Sequence, residues 1–145
     1  MKIDGYDMPE DLYYYPESFL WVRKESDTKA VVGLTDFAQQ QAGKVSFIRI
    51  RPKGFQLEVG KVFGTMESFK WIGALRSPLK GFIESMNEDV AKNPNIVKES
   101  PYERGWLIRV EYPSSDDSIS KLLTKDAATK WMEDEIRKAK ARSIT

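Results

Sequence analysis

The chain has 145 residues, enough for one domain with a single core. Its 23 Lys and Arg against 22 Asp and Glu leave a formal charge of +1, which supplies no net field to draw it to nucleic acid or an anionic membrane. Cysteine and histidine are both absent, which excludes disulfides, thiolate catalysis, most zinc sites and every histidine-based catalytic arrangement. Any redox chemistry must therefore come from an attached group. That favours a carrier over an enzyme, although carboxylates and lysine remain available for acid–base work. No apolar stretch reaches the length of a membrane span, and residues 1–10 have no basic region followed by an apolar one. The expectation is a soluble, cytoplasmic protein.

Residues 1–18 are acidic and tyrosine-rich with two prolines, and read as an extended arm laid on the domain. Tyr13-Tyr14-Tyr15 is either a cover for a core edge or a docking patch. Leu20 to Lys24 and Lys29 to Leu34 are strand-like and are joined by the turn composition Glu25-Ser26-Asp27-Thr28. Thr35 suits a helix N-cap, Asp36 the first turn and Gly43 the position past the end, giving a two-turn helix. Residues 44–51 alternate as a half-buried strand with Val45, Phe47, Ile48 and Ile50 in or near the core.

Turns follow at Pro52-Lys53-Gly54 and Val59-Gly60-Lys61. A further strand is expected over 81–87 and a short helix over 88–92, ended by Asn93-Pro94. Residues 105–112 alternate, with Trp106, Ile108 and Val110 on one face. A short helix over 119–123 precedes a C-terminal helix from Thr124, whose pairs Ala127-Ala128, Trp131-Met132 and Glu135-Ile136 recur at helical spacing. Lys138, Lys140 and Arg142 suit its C-terminal end as solvated cations. Trp21, Phe47, Phe63 and Trp106 are the core candidates. Three stretches result: an arm (1–18), a central domain (19–123) and a packed amphipathic helix (124–145).

The segment with chemical promise is Val62 to Gly81. Two strand-like runs, Val62 to Met66 and Trp71 to Leu75, flank a tight turn at Glu67-Ser68-Phe69-Lys70. A lysine at such a tip holds its amine in water, where another enzyme can acylate it; the commoner fate of a turn lysine is simply to be solvated.

The wider motif set is more specific. It comprises Trp21-Val22, then Gly33-Leu34-Thr35-Asp36-Phe37-Ala38-Gln39, then Glu67-Ser68-Phe69-Lys70 and Ser77-Pro78-Leu79-Lys80-Gly81. Ala42-Gly43, Met86-Asn87-Glu88, Pro101-Tyr102 and Gly105-Trp106-Leu107-Ile108-Arg109 complete it. From Trp21 to about Glu133 the sequence resembles the lipoyl-carrying H protein of the glycine cleavage system. The resemblance implies a mostly β barrel-sandwich hybrid with short flanking helices, no catalysis of its own, and lipoate amide-linked to Lys70. It also implies that Glu67, Ser68, Phe69 and Trp71 shape the turn for a lipoate ligase or lipoyl transferase. Biotin carriers share the fold, but their Met-Lys-Met turn differs from Phe69-Lys70-Trp71.

The sequence departs from the family where the cargo would rest. A glutamate before the first strand and an aspartate four residues past the lysine, both expected to line the cleft, are here Leu20 and Ala74. A cationic aminomethyl group needs acidic partners out of water. The apolar replacement, the arm Pro9 to Tyr14 and the Lys70-Trp71-Ile72-Gly73 turn look more like H-like lipoate-binding proteins of heterodisulfide-reductase-like sulfur oxidation. The resemblance thus leans to a sulfur-bound cargo passed to such a complex. The alternative is a glycine cleavage H protein serving the P, T and L proteins. A third reading, of a different class, is an unlipoylated interaction module docking through its tyrosine-rich arm.

Overall fold

A computed structural model describes residues 1–68 and 72–144. A two-stranded hairpin, β1 (Lys2–Ile3) and β2 (Tyr6–Asp7), opens the chain, followed by β3 (Tyr13–Tyr15), β4 (Leu20–Lys24) and β5 (Lys29–Leu34). Then come α1 (Asp36–Ala42), β6 (Val45–Ile50), β7 (Gln56–Leu57), β8 (Val62–Ser68), β9 (Ile72–Arg76) and β10 (Gly81–Met86). The helices α2 (Glu88–Lys92) and α3 (Ile96–Glu99), strand β11 (Trp106–Glu111) and helix α4 (Lys125–Ile144) complete it. Six strands form one antiparallel sheet in the order β3-β4-β5-β11-β10-β7, and three form a second in the order β6-β8-β9. This is the expected mostly β barrel-sandwich hybrid.

Two apolar layers hold it together. Between the sheets, Leu20, Val22, Val32, Ile108 and Val110 of the larger meet Ile48, Phe63, Met66 and Leu75 of the smaller. On the larger sheet's other face, Tyr14, Trp21 and Val31 meet Phe37 of α1, Ala128, Met132 and Ile136 of α4, and Met8 and Leu12 of the arm. The larger sheet is therefore buried on both sides at β4 and β5. That is why Leu20-Trp21-Val22 and Ala30-Val31-Val32-Gly33-Leu34 show no polar alternation. Spacing of four along α4 stacks Ala128, Met132 and Ile136 on its inward face.

Trp21 is fully buried, and its indole lies against Gly33, its cross-strand partner on β5. A Cβ at Gly33 would fall 2.4 Å from the ring, so only glycine leaves the indole its place. The indole N–H donates to the Pro101 carbonyl at 2.9 Å.

Sheet edges are closed in different ways. Tyr14 on β3 exchanges backbone hydrogen bonds with Leu123, N–H to carbonyl at 2.8 and 3.0 Å. At the opposite edge β7 is only two residues long. In the smaller sheet, α2 packs on β6, and the amide of Arg76 on β9 donates to Ser18 Oγ at 2.9 Å.

Three expectations are corrected. Phe47 is 53% exposed and belongs to the outer face, because the register of β6 against β8 slips between Val45 and Phe47 and reverses the alternation, sending Ile48 inward. A similar slip at Leu107 buries Leu107 with Ile108 in the inter-sheet core, while half-buried Trp106 packs in the other layer. The N-terminal residues do not form a merely extended arm. They make a hairpin and then edge strand β3, with Tyr14 and Tyr15 buried and Tyr14's hydroxyl donating to Pro9's carbonyl at 2.6 Å.

Burial pushes the Tyr15 hydroxyl up to about 12 and raises those of Tyr14, Tyr102 and Tyr112 as well. In the unfolded chain these phenols ionise near pH 10. The fold prefers their neutral forms, so this contribution is complete below about pH 10 and fades as pH rises toward the folded-state values. In an alkaline titration the phenolate absorbance of these four should therefore rise together with loss of circular dichroism. Ionisation of all four near pH 10 with the fold intact would contradict it.

Candidate functional site

The hairpin of β8 and β9 is paired up to Glu67 opposite Ile72. Phe69, Lys70 and Trp71 lie outside the described residues. Polar Glu67 and Ser68 belong to β8 rather than to the turn, which shortens the connection to residues 69–71. They point oppositely: Glu67 is exposed on the outer face, whereas Ser68 is buried. Ile72, 73% exposed, stands beside Glu67 on the outer face.

Next to this hairpin is a cleft of about 270 Å³, lined by Phe19, Leu34, Phe37, Ala42 and Met66 together with Ser18, Ala38, Gln41 and Arg142. Met66 is four residues before position 70 in the chain. The lining is mainly aliphatic and aromatic, suited to an alkyl tether, and among the described residues it holds no carboxylate. Leu20 and Ala74, the two expected cleft positions, are not in it. Leu20 is fully buried between the sheets, and Ala74 is half-buried on the outer side of β9 opposite Thr65. The neighbour that reaches the cleft is Phe19, held at a positive φ of 54° after the Pro16–Ser18 turn.

Arg142 enters the cleft from α4, and Lys140 pairs with Asp4 at 2.9 Å, so neither is a merely solvated helix-end cation. The helical period carried a signal for this: Arg142 lies three residues beyond Ala139, a partly buried apolar residue packed with the inward stripe.

The other motif residues form one connected scaffold. Thr35 caps α1, its hydroxyl accepting from Ala38 N–H at 3.2 Å. Asp36 Oδ2 accepts from Asp7 N–H at 2.8 Å, and Oδ1 accepts from the side-chain amides of Gln39 and Gln40 at 2.7 and 3.0 Å. The Tyr102 hydroxyl accepts from Asp36 N–H at 3.0 Å and donates to Asp7's carbonyl at 2.6 Å. Asp36 and Tyr102 thus clamp the N-terminal hairpin onto α1, one wall of the cleft. Tyr102→Phe would orphan the Asp36 amide and the Asp7 carbonyl, and should cost about 1–3 kcal/mol. Denaturant unfolding measures the loss, and faster amide exchange at Asp36 would localise it; unchanged stability would show that the clamp is dispensable.

The described part of the site is thus a β-hairpin, β8 and β9, with an apolar cleft against the inner side of β8. The model for the glycine cleavage H-protein family matches residues 12–135, and the chain belongs to that family. Its members are carriers without catalysis of their own and hold lipoate covalently on a lysine. A probable glycine cleavage system H protein 3 of Sulfurisphaera tokodaii is 36% identical over 138 residues, 95% of this chain and 98% of that protein. The glycine cleavage system H protein of Salinibacter ruber is 38% identical over 121 residues, 83% of this chain and 95% of its own. In three dimensions the chain is similar to the crystal structure of a glycine cleavage system H protein from Mycobacterium marinum. The TM-score is 0.75 at 25% identity, covering 88% of this chain and 98% of that one. Among the described residues no helix is long and apolar enough to cross a membrane.

Proposed function

We propose that this chain is a cytoplasmic lipoyl carrier with lipoate amide-linked to Lys70, passing a bound intermediate between partner enzymes. One observation carries the reading. The β8–β9 pairing runs to Glu67 and Ile72, so that Lys70 falls in the sequence that joins the two strands, and Met66 of β8 lines an apolar cleft that would accommodate the tether. When attached, lipoate supplies a dithiolane capable of thiol–disulfide exchange. A tether also raises the local concentration of cargo at each partner without release. The chain's own part is to present the amine, to keep Phe19, Leu34, Phe37 and Met66 available as an apolar rest, and to exclude water there.

For the cargo, the names of the relatives favour the aminomethyl group of glycine, with the P, T and L proteins as partners and a lipoate ligase or transferase upstream. None of those names refers to sulfur oxidation or to a heterodisulfide-reductase-like complex. One observation keeps an uncharged or anionic sulfur cargo as the second reading: the cleft is apolar, with a guanidinium and no carboxylate among its described lining. The unlipoylated docking module loses its main support, since Tyr14 and Tyr15 are buried.

Intact mass of protein from its native host tests the carrier reading, and an unmodified Lys70 there would remove it. Glycine-dependent aminomethyl loading by glycine decarboxylase then separates the cargoes, efficient loading selecting the first. Ala74→Asp would place its carboxylate on the outer side of β9, outside the cleft, and should leave that loading unchanged. Leu20→Glu would instead bury an unpaired carboxylate between the sheets and destabilise the protein by several kcal/mol.

A further inference from the structure

The near-zero net charge conceals a sharp segregation. Residues 44–80 hold eight Lys or Arg against two Asp or Glu, a net +6, while the rest of the chain holds fifteen against twenty, a net −5. Ion pairs follow the same division. Every salt bridge among the described residues involves a cation outside 44–80, from Lys2–Asp7 and Lys29–Glu84 to Arg109–Glu25 and Lys140–Asp4. The cations of 44–80 that are described have no carboxylate partner. Arg49 and Arg51 stack over Phe47 and Phe55 at 5.8 and 4.6 Å, Lys61 lies 4.6 Å from the Phe55 ring, and Arg76 donates to the Gly60 carbonyl at 2.9 Å.

These side chains share a surface. The outer face of the smaller sheet carries Phe47 and Arg49 on β6, Thr65 and Glu67 on β8, and Ile72 and Arg76 on β9. Phe47 and Ile72, 53% and 73% exposed, flank Glu67 in the cross-strand row at the hairpin end. Beyond them an open groove of about 580 Å³ is lined by Arg49, Arg51, Phe55, Val62 and Thr65 among others. Apolar anchors with a cationic rim are the composition of a protein-docking surface rather than of a solvated face.

We infer that the outer face of the β6–β8–β9 sheet docks an acidic surface around the active site of the enzyme that attaches lipoate to Lys70. The inference rests on the lipoyl-carrier reading and deepens it by naming the face and the partner's charge. Enzymes served through the finished arm can be reached at the length of the tether. The attaching enzyme must instead bring its catalytic groups to a bare lysine amine, and so must cover the strands on either side. Complementary charge on this face steers that encounter and fixes its register.

The test uses the full chain with the host's own lipoate-attaching enzyme, lipoate and ATP, followed by intact mass. Arg49→Glu with Arg51→Glu should raise the KM for the carrier about tenfold or more with kcat nearly unchanged. Arg49→Lys with Arg51→Lys should stay near wild type. Raising ionic strength from about 0.05 to 0.3 M should depress wild-type kcat/KM and leave the reversed variant almost flat. Circular dichroism should report the same fold for each variant. Wild-type KM in the reversed variant overturns the docking face alone, whereas wild-type protein left unmodified by excess enzyme overturns the carrier reading and this inference together. A fluorescent duplex DNA or phosphatidylglycerol vesicles, offered at about 0.15 M salt, should not bind. Binding lost on the same reversal would reassign the face to a polyanion and overturn it too.

Discussion

Lys70→Arg is expected to fold as wild type, to keep its charge, and to carry nothing. A guanidinium stays protonated and is no nucleophile at any pH the protein tolerates, so no amide can form on it. Its intact mass from a lipoylating host should be that of the bare chain, and transfer between partner enzymes should fall to the level without carrier. Thermal unfolding should be near that of wild type, because the substitution keeps both the charge and nearly the length of the side chain. An added lipoyl mass in this variant would move the attachment to another lysine; Lys61 and Lys80, in the loops at the far ends of β8 and β9, would be the next to map.

Trp21→Ala is expected to be the most damaging single change to the scaffold. The side chain is fully buried, and its indole N–H is satisfied by the Pro101 carbonyl. Its removal should cost about 3–5 kcal/mol. Against the usual 5–15 kcal/mol of a whole domain, that brings the protein close to unfolding at growth temperature. Gly33→Ala attacks the same contact from the other side, forcing a methyl group into the indole at a cost of about 1–3 kcal/mol. Because both changes act on one contact they should not be additive: in a Trp21→Phe background the smaller ring leaves room, and Gly33→Ala should cost less. Urea unfolding of the four proteins closes that cycle. Equal costs in both backgrounds would show that the glycine serves something other than the indole.

Strands β4 and β5, the Thr35 cap and helix α2 were legible because each rests on local chemistry: continuous apolar runs, a hydroxyl before a helix, and an Asn-Pro stop. The carrier family was legible because its motif residues serve one another. Trp21 packs on Gly33 and donates to Pro101, and the Tyr102 hydroxyl accepts from the Asp36 amide, so motifs 65 or more residues apart meet in one scaffold. Phe47 and Trp106 were misplaced because bulges reverse alternation and leave no mark in composition. Helix α3 passed unnoticed, having four residues and no side-chain cap.

The cleft was the least legible part. Leu20 and Ala74 follow from matching positions along the chain, whereas the actual lining is assembled from four separate elements and the end of α4. Net charge misled for a similar reason. A sum over residues says nothing about where they gather, and here residues 44–80 hold an excess of cations while the rest of the chain holds an excess of acids.

The closed edges described for the two sheets bear on how the protein behaves when crowded. A bare strand margin is a template on which another chain can add itself, and a carrier must be abundant enough to meet several enzymes. With β3 tied to Leu123, β7 cut to two residues, β6 under α2 and β9 tied to Ser18, none of the four margins offers a long open ladder. Concentrated solutions should therefore resist fibril seeding. Deleting the segment that holds Leu123 should expose β3 first.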